Sequence, residues 1–163
     1  MKMGVVRAAL LSVAMAGLAI CGAAPGHAQM GQRVSATTIP TAQLIQPAEL
    51  NKLLKGPASA RPLVLQVGSH MLFEEAHIAG SEYAGPGATA DGLNVLRARV
   101  KSLPHSKFIV IYCGCCPWTK CPNMGPAYQE LHAMGFTRVK ALYLADNFGA
   151  DWVSQGYATT HGQ

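Results

Sequence analysis

The chain has 163 residues, half of them hydrophobic, and 13 Lys and Arg against 8 Asp and Glu give a formal charge of +5. This length suits one core-forming domain rather than two. The surplus charge is small and its residues are scattered, so the sequence offers no cationic surface for nucleic acid.

Met1 to Arg7 carries Lys2 and Arg7, Ala8 to Ile20 is apolar, and Cys21 to Gln29 is rich in small residues, with Gly26 and Ala28 before Gln29. A basic start, a short apolar middle and a small-residue exit are the layout of a secretory signal peptide. Residues 1–28 are therefore expected to be removed and the protein to be exported to the periplasm. The apolar middle falls short of the roughly 20 residues a membrane helix needs, and no later stretch reaches that length, so no span is expected. Leu18-Ala19-Ile20-Cys21 loosely resembles a lipoprotein signal, which would make Cys21 a lipid anchor. Bulky Ile20 stands where such a signal has a small residue, and cleavage near Ala28 is the favoured reading. Without Lys2 and Arg7 the formal charge falls to +3.

Residues 29–43 read as a linker, being small and polar with Pro40. Leu44-Ile45 is a short strand. Gln46 to Leu54 forms a helix with Pro47 at an early position and Leu50, Leu53 and Leu54 on one face, stopped by Gly56-Pro57. Pro62 to Val67 is a buried strand. Met71 to Ala76 gives one or two helical turns, and a turn follows from Ala76 to Ser81. Asp91, as helix cap, opens a helix to Leu103 with Leu93, Leu96 and Val100 at helical spacing. Phe108 to Tyr112 is the clearest strand. Asn123 to Met134 is a helix closed by Gly135, Val139 to Leu144 a strand, and Phe148 to Gln155 a short helix with Trp152 in the core. Strands alternating with helices predict an α/β fold, a mainly parallel sheet with helices on both faces.

Four of the five cysteines, Cys113, Cys115, Cys116 and Cys121, fall within nine residues, between the clearest strand and the next helix. Outside the cytosol thiols oxidise unless protected or re-reduced. Disulfides within one loop would close only small rings and stabilise the fold little. The cluster therefore points to local chemistry: a nucleophile, a redox pair or a soft-metal site.

In order and spacing, the landmarks resemble the rhodanese-like domain. Ile45 to Leu50 looks like its first helix. Leu63 to Gly68 sits where that family has a strand ending in an Asp-Val-Arg-like triplet. Phe73-Glu74-Glu75-Ala76-His77-Ile78-Ala79-Gly80-Ser81 is similar to its Glu-x-x-His-Ile-x-Gly-Ala signature. Ile109 to Cys113 matches the strand that delivers the family's cysteine, and Gly135 to Val139 with Trp152 to Tyr157 match its last strand and helix. The resemblance implies a domain over residues 44–159, with 160–163 a tail. It departs from the pattern in two places. The segment from Cys113 to Gly135 is longer, lacks Arg and adds three cysteines, and Gln66 and Gly68 replace the usual acidic and basic residues that brace the strand.

The resemblance implies a sulfurtransferase in which Cys113 holds sulfane sulfur as a persulfide. Loop amides and the helix N-terminus near Asn123 would lower its pKa. Gly114, Cys115, Cys116, Trp118, Thr119 and Lys120 would form its substrate cradle, with Lys120 holding a small sulfur-containing anion such as thiosulfate. Trp118 is equally readable as a hydrophobic plug. Cys115, Cys116 or Cys121 could resolve the persulfide and couple transfer to thiol redox. The Cys-x-x-Cys spacing favours Cys116, with a thiol acceptor or an exported redox partner completing the cycle. This reading needs no cofactor. The alternative is a non-enzymatic carrier that binds copper or zinc through Cys113, Cys115, Cys116 and Cys121, or a partner-binding module on the same fold. His77 is expected to hydrogen-bond within the fold, and His105 and His132 to lie on the surface.

Overall fold

The computed structural model describes residues 35–162; the expected signal peptide, Cys21 and the first part of the expected linker lie outside the described residues. In chain order the strands and helices are β1 (Leu44–Ile45), α1 (Pro47–Lys55), β2 (Leu63–Gln66), α2 (His70–Glu75), β3 (His77–Ile78), β4 (Glu82–Tyr83), α3 (Ala90–Val100), β5 (Ile109–Tyr112), α4 (Met124–Ala133), β6 (Val139–Leu142) and β7 (Thr159–Thr160). Single helical turns lie at Ala36–Thr38, Thr41–Gln43, Ala58–Ala60 and Trp118–Lys120. Five strands pair in parallel in the order β1-β6-β5-β2-β4, while β3 and β7 form a small antiparallel pair.

The expected α/β architecture is present, and side-chain alternation explains its two cores. On β5, Ile109 and Ile111 join Leu65, Val139 and Ala141 under α3 and α4, which contribute Leu96, Val100, Met124, Ala127 and Leu131. Val110 and Tyr112 point the other way, into a second core with Val64, Ile45, Leu50 of α1 and Trp152. Period-two alternation then carries Cys113, the first residue past β5, onto the α4 side. The site is thus positioned by the central strand of the sheet.

Several expectations are corrected. Ser35 to Gln43 is no plain linker: Ala36 and Ile39 are buried in the core beside α4, so the packed domain begins before Leu44. Nor is Thr160 to Gly162 a loose tail. Thr160 pairs with His77, and the Gly162 amide donates to the Glu74 carbonyl at 2.7 Å. Thr89, rather than Asp91, caps α3: it keeps extended backbone and its Oγ1 accepts from the Gly92 amide at 3.0 Å. Asp91 sits inside the first turn, where its charge complements the helix dipole. The turn expected from Ala76 to Ser81 contains β3, and β4 follows it. Both are two residues long, too short for alternation to register. The helix expected at Phe148 to Gln155 is one wide turn over Gly149–Val153, with the Ser154 amide bonded to the Gly149 carbonyl five residues back. Among the described residues, no helix is long and apolar enough to cross a membrane.

Two bidentate ion pairs tie α3 to its neighbours. Arg97 grips Glu130 of α4 at 2.6 and 2.9 Å, and Arg99 grips Glu82 of the edge strand β4. The Arg99 guanidinium holds the Glu82 carboxyl below its ordinary value of 4.5. A carboxyl depressed on folding contributes stability above its unfolded pKa, and that stability is lost as pH falls through the folded pKa. Glu82→Gln should therefore cost about 0.5 kcal/mol at neutral pH, and the difference from the parent should vanish in acid. Urea unfolding of both proteins across pH checks this.

Candidate functional site

β5 delivers Cys113 to the C-terminal edge of the parallel sheet, where open α/β sheets place their ligands. The chain turns at once, because Gly114 adopts φ +82°. A Cβ at this glycine would lie 2.7 Å from the Cβ of Phe148, and the Gly114 carbonyl accepts from the Phe148 amide at 3.1 Å. Further on, the Trp118 amide donates to the Ala145 carbonyl at 3.2 Å. The cysteine loop is thereby strapped to the segment after β6 before it reaches α4.

This path brings the sulfurs together. Cys113 Sγ lies 3.2 Å from Cys115 Sγ, which lies 3.3 Å from Cys116 Sγ. The sulfurs of Cys113, Cys115 and Cys121 are all within 4.8 Å of one another. All four thiols are free. Cys113 and Cys121 are buried, at 5 % and 3 % exposure, whereas Cys115 is exposed. Chain spacing favours Cys116 as the partner of Cys113, but the contact is made by Cys115. The Gly114 turn folds residue 115 back over the strand end.

The electrostatics separate the sulfurs. Hydrogen bonding to Cys115 and Cys121, together with burial, pushes the Cys113 thiol up. The same contacts act oppositely on Cys115: accepting from Cys113 and Cys121 pulls it far below the ordinary thiol range. Burial, then the contact with Cys115, pushes Cys116 up to about 12. Cys121 is pulled down by Cys113, but Cys115 and burial outweigh this and leave it raised. The amides of Asn123 and Met124 at the start of α4 act on Cys121. These contacts favour the charge on Cys115 over Cys113, and the first amides of α4 act on Cys121.

Three residues hold Cys113 in place. Asn123 Nδ2 donates to its sulfur at 3.3 Å, while Asn123 Oδ1 accepts from the Ala88 amide at 3.0 Å. Gln66 is buried; its Nε2 donates to the carbonyls of Cys113 and Ser69, and its Oε1 accepts from the Gly68 amide at 3.1 Å. The bracing expected to be lost with the charged pair is thus supplied by a carboxamide. Gly68 leaves space that the thiol occupies, since a Cβ there would lie 2.9 Å from Cys113 Sγ. Asn123 was legible only as a helix start. Its second role has no local signal, because its partners are ten and 35 residues away.

A cleft of about 440 Å³ opens over the strand end. Cys113, Gly114 and Cys115 form part of its wall, with Gln66, Glu75 and Phe148 among the rest, and among the described residues no Lys or Arg lines it. Tyr112 also lines it, but its hydroxyl is engaged by Ser81 and the Ile78 amide, and burial pushes it up to about 12. Of the other expected cradle residues, Trp118 is buried and packs on Tyr143 with ring centroids 5.4 Å apart, the plug reading. Thr119 and Lys120 are exposed and do not line the cleft. His77 is buried, stacked on Phe73 and bonded through Nδ1 to the Phe73 carbonyl at 2.7 Å; His105 and His132 are exposed, all as expected.

No protein-family model matches the sequence, and no curated protein matches it. Solved structures do match the fold. A crystal structure of the Alr3790 protein from Anabaena sp. superposes with a TM-score of 0.54 at 22 % identity, over 72 % of this chain and 92 % of that one. The solution structure of the rhodanese-like domain of the same protein gives 0.55 at 21 %, over 73 % and 79 %. The BH2092 protein from Bacillus halodurans gives 0.55 at 23 %, over 72 % and 75 %. The chain has the rhodanese-like fold.

A thiol lowered by its neighbours stays nucleophilic in mild acid, and raised thiols do not. Brief iodoacetamide treatment should label Cys115 first, at a rate nearly flat from about pH 5 to 8. In Cys115→Ser, labelling should slow by about 100-fold at neutral pH, since each pKa unit above the working pH removes about tenfold of the thiolate. Peptide mass spectrometry checks both.

Proposed function

We propose that this protein is an exported sulfurtransferase-like carrier of sulfane sulfur, in which Cys115 receives the sulfur and Cys113 holds it as a persulfide. The observation that carries this reading is the pair of sulfurs 3.2 Å apart at the wall of the cleft, one exposed and one buried. The rhodanese-like fold supports it by setting Cys113 at the strand end where the resemblance puts the persulfide-forming residue.

The chemistry is a thiol exchange. The Cys115 thiolate attacks the terminal sulfur of a thiol persulfide; the donor's S–S bond breaks, a thiol leaves, and Cys115 carries the extra sulfur. Cys113, deprotonated by the medium as it attacks, takes that terminal sulfur, breaking the new S–S bond and returning Cys115 to the thiolate. Asn123 Nδ2 donates to the Cys113 sulfur and steadies charge there. If Cys113 instead attacks the inner sulfur, hydrosulfide leaves and a Cys113–Cys115 disulfide closes, and an external dithiol must reduce it. The cleft's lining argues for an uncharged or weakly charged donor. It has no cation and includes the Glu75 carboxylate, so thiosulfate, the donor expected alongside Lys120, finds no counter-charge.

Incubation of the mature protein with glutathione persulfide, followed by intact-mass and peptide analysis, tests this. One added sulfur should appear, and most of it on Cys113 at equilibrium. Cys115→Ser should slow loading by about 100-fold. Cys113→Ser should load at Cys115 and lose the sulfur to added thiol faster than the parent. Equal loading in the double variant, or none in the parent, would sink the proposal.

A further inference from the structure

Cys121 has no part in that relay, yet it is buried and its sulfur converges with two others. We propose that Cys113, Cys115 and Cys121 form a three-sulfur binding site for copper(I).

The geometry is close to what such an ion requires. A metal about 2.3 Å from three sulfurs in a plane sets them roughly 4 Å apart, and these three lie within 4.8 Å of one another. Each comes from a differently anchored point: the end of β5, the Gly114 turn and the end of the Trp118–Lys120 turn. The site is therefore held by the fold before any ion arrives.

The donor set selects the metal. Among the described residues no His, Asp or Glu belongs to the group, and an all-thiolate set favours soft ions. Structural zinc takes four ligands. Among the described residues the one further thiol, Cys116, contacts Cys115 and Cys121 but does not join the group in which every sulfur lies within 4.8 Å of the others. Three-coordination suits copper(I) and leaves zinc short. The cleft that leads to Cys113 and Cys115 has no Lys or Arg and includes Glu75, so a cation meets no repulsion on entry. Binding exchanges thiol protons for the ion and releases them to solvent, with no change in oxidation state; the ion must arrive already reduced. Because Cys113 and Cys115 serve both roles, copper and persulfide exclude one another.

Anaerobic titration of the mature protein with copper(I) against a chromogenic copper(I) chelator tests the site, with X-ray absorption on the loaded protein. The expected result is one copper per chain, ringed by three sulfurs at about 2.3 Å. Cys116→Ser should retain it, and Cys121→Ser should weaken it at least tenfold. The absorption spectrum of the parent decides the question even if Cys121→Ser fails to fold. Failure to hold copper against the chelator, ligation by nitrogen or oxygen, a two-sulfur site, or unchanged affinity in folded Cys121→Ser would each overturn the proposal. Copper bound by a protein that accepts no persulfide would uphold the metal site and remove only the relay; persulfide loading without copper binding would do the reverse.

Discussion

The confinement of one sulfur atom organises this site. Cys113 leaves the central strand pointing into the α4 core, and Gly68, Asn123 and Cys115 close on it from three sides. Its position follows from strand alternation and from the absence of a side chain at residue 68, so the loop has little freedom in where this thiol goes. The remaining thiols are arranged around it by the Gly114 turn and the short helical turn at Trp118–Lys120.

Confinement also decides where charge can reside. A buried thiol resists ionisation because the thiolate loses water, and a neighbour able to accept its hydrogen bond gains from the same contact. The contacts therefore favour negative charge on the exposed member of the cluster, Cys115, which lines the cleft. The buried members act as donors toward it. Such a division leaves one sulfur open to solvent and the others shielded from it.

Much of the fold was legible because the signals were local. The runs at Leu63 to Gln66 and Ile109 to Tyr112, the periodic leucines of α1 and the Gly135 stop all emerged where the sequence places them. The pairing of β3 with β7 was not legible: it joins His77 to Thr160 across most of the domain through two-residue strands. The burial of Ala36 and Ile39 was hidden by polar neighbours. At the site, the crowding of cysteines was plain, but which of them touch depends on a single positive φ angle at Gly114 and on contacts with Asn123 and Gln66 that no spacing encodes.

The empty space at Gly68 has a consequence for how this cysteine loop can change. The Asp-Val-Arg-like triplet of similar domains ends in a bulky guanidinium, and here the first carbon of any side chain would strike the Cys113 sulfur. Restoring arginine by one substitution would evict the thiol before it could attract an anion. The missing cation and the inward-tucked sulfur are one feature seen twice, and a protein engineer could reverse them only as a pair.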